Sequence, residues 1–77
     1  MAPRRAQAVT DEFGRRARER RRELKLSQEA LGARVGLDRT YVGGIERGER
    51  NLSLTNVIRL ADALEIDAAD LVRGLRP

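Results

Sequence analysis

Arginine supplies most of the side chains in this sequence that could take part in chemistry. Fifteen of the 16 basic residues are arginine, and the chain contains neither histidine nor cysteine. A guanidinium binds phosphate or the edge of a nucleic-acid base through paired N–H donors, but it does not serve as a general base at neutral pH. The missing histidine and cysteine remove the commonest general base, the commonest metal ligands and any disulfide. We therefore expect a binding protein without a metal or cofactor.

The positive charge is concentrated in the first third of the chain. The formal net charge is +4 and the isoelectric point is about 10.9. Residues 1–27 carry nine basic and four acidic side chains, whereas residues 28–77 carry seven basic and eight acidic ones. A basic surface near one element suits a polyanionic partner such as nucleic acid. The alternative is that a GC-rich genome favours arginine codons without any such partner.

Five short helices are predicted to position these side chains. Apolar residues recur at helical spacing after good N-cap residues, and no stretch alternates as a strand does. The N-cap candidates are Thr10, Ser27, Asp38, Ser53 and Asp67. The predicted helices cover residues 10–25, 27–35, 39–48, 54–64 and 68–73. Residues 1–9 are predicted to form a flexible basic tail, so the domain itself spans residues 10–77.

Residues 27–48 form the most informative unit, which consists of a short helix, a turn and a second short helix. Ala30 is small enough to let the second helix cross closely, and Gly36 supplies the sharp turn. Leu37 and Ile45 fill the angle between the two helices. This spacing is typical of a helix-turn-helix, in which the second helix enters the major groove of DNA.

The motifs of residues 13–74 resemble those of the Cro/repressor-type, or Xre-like, helix-turn-helix family. The matching segments are Phe13-Gly14, LSQEAL at 26–31, IERG at 45–48 and IRLADAL at 58–64. Within that family, LDRTYVGGIER at 37–47 and RNL at 50–52 are most similar to restriction–modification controller proteins. The resemblance implies an all-α, compact five-helix lambda-repressor-like domain that binds double-stranded DNA.

The resemblance divides the implied DNA contacts into two groups. Arg39, Thr40 and Tyr41 would read base edges because they open the recognition helix, and Arg39 would pair bidentately with guanine. Phosphate contacts position such a domain without reading sequence. They are implied for Ser27, Gln28, Arg47, Arg50, Asn51 and Ser53.

Two further features of this unit need a different explanation. The resemblance pairs Glu46 with Arg21 in a buried, structural ion pair, because phosphates would repel a carboxylate at the DNA surface. Gly43 and Gly44 depart from many phage-type repressors, which carry a long side chain at the position of Gly44. We expect either a close approach of the backbone to DNA or base reading that is concentrated at the start of the recognition helix.

One domain of this size reads too few base pairs for useful specificity. The solution that the family resemblance implies is a twofold dimer on a near-palindromic site, with half-sites about one helical turn, roughly 34 Å, apart. The candidate interface residues, some of which must belong to the core instead, are Leu64, Ile66, Leu71, Val72 and Leu75.

The predicted function is a dimeric transcription regulator, either a restriction–modification controller or a stand-alone regulator. The alternative is the antitoxin of a toxin–antitoxin pair that also autoregulates its operon, although only short termini are spare for a toxin-binding surface. An enzyme is disfavoured, since no phosphate-binding glycine loop or carboxylate cluster occurs. No apolar run approaches the roughly 20 residues of a membrane span. We therefore expect a cytoplasmic protein with no membrane or small-molecule partner.

Overall fold

The computed structural model describes the backbone of residues 2–77 and the side chains of residues 7–77, and this range contains helices and turns but no strand. The helices are Ala2–Glu23 (α1), Gln28–Val35 (α2), Arg39–Glu46 (α3), Leu54–Ala63 (α4) and Ala68–Val72 (α5). The prediction of an all-α, five-helix domain is therefore confirmed. No helix in the described part of the chain is long and apolar enough to cross a membrane.

The first helix begins well before Thr10, so the prediction that it starts at residue 10 is wrong. Thr10 lies inside α1, and its hydroxyl donates to the Gln7 carbonyl at 3.1 Å instead of capping a helix. Pro3 is tolerated in a first helical turn, where its missing N–H costs no hydrogen bond. Alanine, arginine and glutamine, which favour helices, make up most of the next residues. Met1 and the side chains of residues 2–6 lie outside the described part of the predicted tail.

Serine side chains set the starts of α2 and α4. The Oγ of Ser27 accepts the amide proton of the residue three positions later at 2.9 Å, and Ser53 does the same at 3.2 Å. Both helices therefore begin where the sequence predicts. Asp38 and Asp67 have the extended N-cap backbone, but their carboxylates form no capping hydrogen bond.

The turn between α2 and α3 has the predicted left-handed glycine. Gly36 has a φ of +84°, and its amide donates to the Gly32 carbonyl at 2.8 Å. Gly32 provides a further close approach, because a Cβ at Gly32 would collide with the Leu37 carbonyl in the turn. The chain that leads into α3 therefore lies directly against the backbone of α2.

The centre of the domain is filled by large apolar side chains. They come from α2, α3, α4 and α5 and from the residue that directly follows α4. Each is at most 2% exposed, and the set is Leu31, Val42, Ile45, Leu60, Leu64 and Leu71. Phe13 and Ala17 of α1 join this core. The prediction that Leu64 and Leu71 form a dimer interface is wrong, because both side chains are fully covered within one chain.

Gly14 brings α1 against the carboxyl end of α3. A Cβ at Gly14 would collide with the Ile45 carbonyl and would lie 2.7 Å from the Glu46 carbonyl oxygen. Any larger residue at this position must push the two helices apart. With α2 on one side and α1 on the other, α3 is held by two helices and presents its amino end outward.

Candidate nucleic-acid interface

The amino end of α3 is the exposed part of the recognition unit. Arg39 and Thr40 are exposed, and Tyr41 is half-buried. Within the described part of the chain, no side chain forms a hydrogen bond or ion pair with the Arg39 guanidinium. All of its N–H donors are therefore available to a ligand, which is the requirement for bidentate pairing with guanine.

Arg50 folds back onto the recognition helix from the loop that follows it. Its guanidinium carbon lies 4.9 Å from the centre of the Tyr41 ring, which is within cation–π distance. A Cβ at Gly44 would meet Arg50 Nε at 3.1 Å and Arg50 Cγ at 3.2 Å. The Arg50 side chain covers Gly44, which favours base reading concentrated at the start of the helix over a close approach of the Gly44 backbone to DNA. Arg50 occupies the space that a longer side chain at Gly44 would need.

Gly43 makes room for a second arginine from the same loop. A Cβ there would lie 3.0 Å from Arg47 Nη1 and 3.5 Å from Gln28 Oε1. Arg47 is paired with Glu49 by two hydrogen bonds, Nε to Oε2 at 2.9 Å and Nη2 to Oε1 at 3.2 Å. These hydrogen bonds lower the pKa of Glu49 and raise the pKa of Arg47. A phosphate that binds Arg47 therefore has to compete with Glu49.

Glu46 is a buried carboxylate that joins α1, α2 and α3, and its side chain is 1% exposed. Arg21 donates Nε to one carboxylate oxygen at 2.6 Å and Nη2 to the other at 3.0 Å. Gln28 Nε2 also donates to Glu46, at 3.1 Å. The hydrogen bonds to Glu46 raise the pKa of Arg21. The structure thus contains the ion pair that the resemblance implies, and it ties Gln28 to that pair.

Two helix N-termini and one loop supply further hydrogen-bond donors. The oxygens of Ser27 and Ser53 accept capping hydrogen bonds, so each hydroxyl proton remains available to a phosphate oxygen. Gln28 gives one of its amide protons to Glu46 and keeps the second. Asn51 is exposed in the loop between α3 and α4. Helix N-termini favour anions through free N–H groups and the helix dipole.

Three of the described arginines of α1 are paired with carboxylates of the same helix. Arg15 contacts Glu12 at 2.9 Å and Glu19 at 2.7 Å, and Arg16 contacts Glu12 at 2.8 Å. The hydrogen bonds from these two arginines lower the pKa of Glu12 to about 2. Arg20 contacts the Glu23 carboxylate, also on α1, at 3.1 Å. These ion pairs partly neutralise the positive charge that the first third of the chain carries.

The exposed apolar surface differs from the predicted dimer interface. Ile66 and Leu75 are half-buried, and Val72 is 44% exposed. Leu54 and Ile58 lie one turn apart on α4 and are 77% and 51% exposed. Sequence reasoning missed these two, because their spacing is that of ordinary core residues of an amphipathic helix. Large apolar side chains that cluster on a surface mark an interaction site.

Two comparisons relate the chain to proteins of known type. The helix-turn-helix family model matches residues 18–71. The control protein C.MunI of Mycoplasma sp is 42% identical over 60 residues, which make up 77% of this chain and 81% of that protein. The chain is thus similar to a control protein over most of its length.

Solved structures give the same relationship. The restriction-modification controller protein C.AhdI of Aeromonas hydrophila superposes with a TM-score of 0.80 and 53% identity, over 83% of this chain and 97% of that chain. The P22 c2 repressor in complex with a synthetic operator superposes with a TM-score of 0.76 and 35% identity, over 80% of this chain and 94% of that chain. The predicted resemblance to controller proteins is confirmed, and the chain belongs to the helix-turn-helix family.

Proposed function

We propose that this protein is a sequence-specific, double-stranded-DNA-binding transcription regulator and, more narrowly, the controller of a restriction–modification operon. The observation that carries the proposal is the exposed amino end of α3, where Arg39 has no partner among the described residues and stands beside Thr40. The similarity to control and controller proteins favours the narrower assignment. The similar P22 c2 repressor was crystallised with an operator, which supports DNA as the ligand.

In this proposal the first turn of α3 enters the major groove. Arg39 donates two hydrogen bonds to O6 and N7 of a guanine, while Thr40 and Tyr41 contact neighbouring base edges. Phosphate contacts hold the helix in register. They come from the amino ends of α2 and α4 and from the loop between α3 and α4, through Ser27, Gln28, Arg47, Arg50, Asn51 and Ser53.

Footprinting on DNA upstream of the protein's own gene tests this function. We expect protection of two near-palindromic half-sites about one helical turn apart, at concentrations that leave a random duplex of equal length unprotected. Neighbouring genes for a restriction enzyme and its methyltransferase would favour a controller over a stand-alone regulator. Equal protection of the random duplex would contradict sequence-specific binding.

A homodimer is part of the proposal, and its interface is assigned to the exposed apolar residues of α4 and α5. Leu54 and Ile58 form the centre, and Val72 adjoins the cleft lined by Val57 and Leu75. In this assignment, Leu54 and Ile58 take the place of Leu64 and Leu71, which the sequence suggested as interface residues but which are buried in the core. Covering these side chains with a second copy removes apolar area from water, which is the main driving force for association.

Leu54→Asp is expected to weaken dimerisation about a hundredfold or more, because a twofold interface places the new carboxylate in the apolar contact twice. Thr55→Asp is the matched control, since both positions are exposed in the first turn of α4, where the helix dipole favours an acidic residue. Sedimentation equilibrium measures the dissociation constant of each variant. Equal constants for the two variants would remove Leu54 from the interface.

Arg50→Ala is expected to weaken binding to all duplexes by a similar factor. The slope of log affinity against log salt concentration should fall by about 0.9, the value for one lost phosphate contact. Titrations of cognate and random duplexes at several salt concentrations measure both quantities. Loss of discrimination at a single operator position would instead make Arg50 a base reader in place of the side chain missing at Gly44.

Glu49→Gln is expected to raise the affinity for cognate and random duplexes alike, by about two- to fivefold. The substitution releases Arg47 from an exposed ion pair, whose strength sets the size of the effect. Asp62→Asn on α4 is the control, because it adds the same charge away from Arg47. An equal gain in both variants would show a general charge effect and would contradict the competition between Glu49 and phosphate.

A further inference from the structure

The amino-terminal part of α1 contacts the loop that carries the proposed phosphate-binding arginines. Gln7 Nε2 donates to the Gly48 carbonyl at 2.9 Å and to Asp11 Oδ1 at 2.8 Å. Gln7 and Gly48 are 41 positions apart in the sequence. Gln7 and Asp11 both precede residues 18–71, which match the helix-turn-helix family. The α1 side of this contact therefore lies outside the residues that the family model matches, whereas Gly48 lies within them.

Gly48 fits tightly between α1 and the end of α3. It is buried and has a φ of +80°, and a Cβ there would collide with Asp11 Oδ1 and lie 2.9 Å from Asp11 Cα. Its amide donates to the Ile45 carbonyl at 3.0 Å. The backbone of Gly48 is thus fixed from both sides, by α3 through its amide and by Gln7 through its carbonyl.

The segment after Gly48 has little backbone support of its own. The Glu49 amide donates to the Gly44 carbonyl at 2.9 Å, whereas the amides of residues 50–52 form no backbone hydrogen bond within the described chain. Arg50 and Asn51 are exposed on this segment. The path of their backbone therefore depends on where Gly48 and Glu49 are held, in addition to the contacts of the Arg50 side chain with Gly44 and Tyr41.

We propose that Gln7, oriented by Asp11, is a positioning residue for DNA binding that braces this loop. The proposal rests on the DNA-binding function proposed above. Gln7 contacts no DNA itself. It holds Gly48 so that Arg50 and Asn51 are ordered before the duplex arrives, and pre-ordering removes an entropic cost from binding.

Hydrogen exchange in the free protein tests the brace without DNA. Gln7→Met keeps the length and helix preference of the side chain but removes the donor. We expect the amides of Gly48 and Glu49 to exchange about three- to tenfold faster, while amides of the core helices keep their rates. Ala8→Gln is the matched control, because it changes an exposed neighbour on α1 and should leave the loop unchanged. Gln7→Ala provides a second variant should Gln7→Met fail to fold.

Affinity measurements on the footprinted duplex and a random duplex then test the consequence. Gln7→Met should weaken both by about three- to tenfold without changing their ratio, and the loss should be smaller in an Arg50→Ala background. If the unmutated protein shows no preference for its own upstream DNA, the proposed function fails, whereas the exchange rates still decide the brace. Specific binding by the unmutated protein, together with unchanged exchange or unchanged affinity in Gln7→Met, would overturn the positioning role.

Discussion

Arg39→Ala is expected to abolish the preference for the operator over random DNA and to leave weak, salt-sensitive binding. The guanidinium is exposed and has no partner within the described chain, so its removal disturbs no internal contact. A bidentate arginine–guanine pair contributes about 1–3 kcal/mol of discrimination, and a dimer loses one pair in each half-site. Phosphate contacts remain, which preserves the non-specific part of the affinity.

Parallel titrations of the operator and a random duplex measure the Arg39→Ala effect. Arg39→Lys separates charge from shape, since lysine keeps the positive charge but lacks the planar fork of donors. We expect Arg39→Lys to retain general affinity and to lose most of the discrimination. Arg73→Ala is the control, because it removes an exposed arginine that pairs with Asp70 at 2.9 Å on α5. A discrimination ratio that survives both Arg39 substitutions would refute the assignment of Arg39 as a base reader.

Glu46→Ala is expected to lower the free energy of unfolding by about 3–5 kcal/mol, because it leaves Arg21 largely buried without its partner. The side chain of Arg21 is 12% exposed, so water replaces little of the lost interaction. Gln28 loses an acceptor in the same variant. Since small domains are stable by only about 5–15 kcal/mol, this loss would remove much of the total stability.

Urea denaturation followed by circular dichroism measures the effect of Glu46→Ala. The double variant Arg21→Met with Glu46→Leu removes both charges, and it should lose less stability than the sum of the single Arg21→Met and Glu46→Leu variants. Glu49→Gln is the control, since that carboxylate pairs with Arg47 on the surface. A loss below about 1 kcal/mol in Glu46→Ala would show that the buried pair is not a main support of the fold.

Local signals in the sequence were sufficient to locate most of the domain. Ser27 and Ser53 act through a hydrogen bond to an amide three residues later, so their effect can be read from the neighbouring sequence alone. Gly36 acts through its own φ angle. The exposure of Arg39 follows from the same logic, because it begins the helix after the turn.

Contacts between distant residues account for what the sequence did not predict. Gln7, which lies in the part of α1 before the predicted helix start, donates a hydrogen bond to the Gly48 carbonyl 41 positions away. The Arg50 side chain covers Gly44 only because the loop turns back over α3. Leu54 and Leu64 have the same side chain and both follow the apolar spacing of α4, yet one is 77% exposed and the other is fully covered. Periodicity identifies an apolar face, but packing decides how much of that face the monomer covers.

The backbone contact at Gly14 also bears on how the proposed dimer would measure its operator. Because α1 and α3 touch there without an intervening side chain, the carboxyl end of α3 is held directly against α1. In the proposed twofold dimer, the distance between the two recognition helices would be set by this contact in each copy and by the interface between the copies. One extra base pair between the half-sites rotates the second by roughly a tenth of a revolution about the duplex axis. We therefore expect the proposed dimer to bind an operator with one extra base pair between its half-sites more weakly than the operator itself.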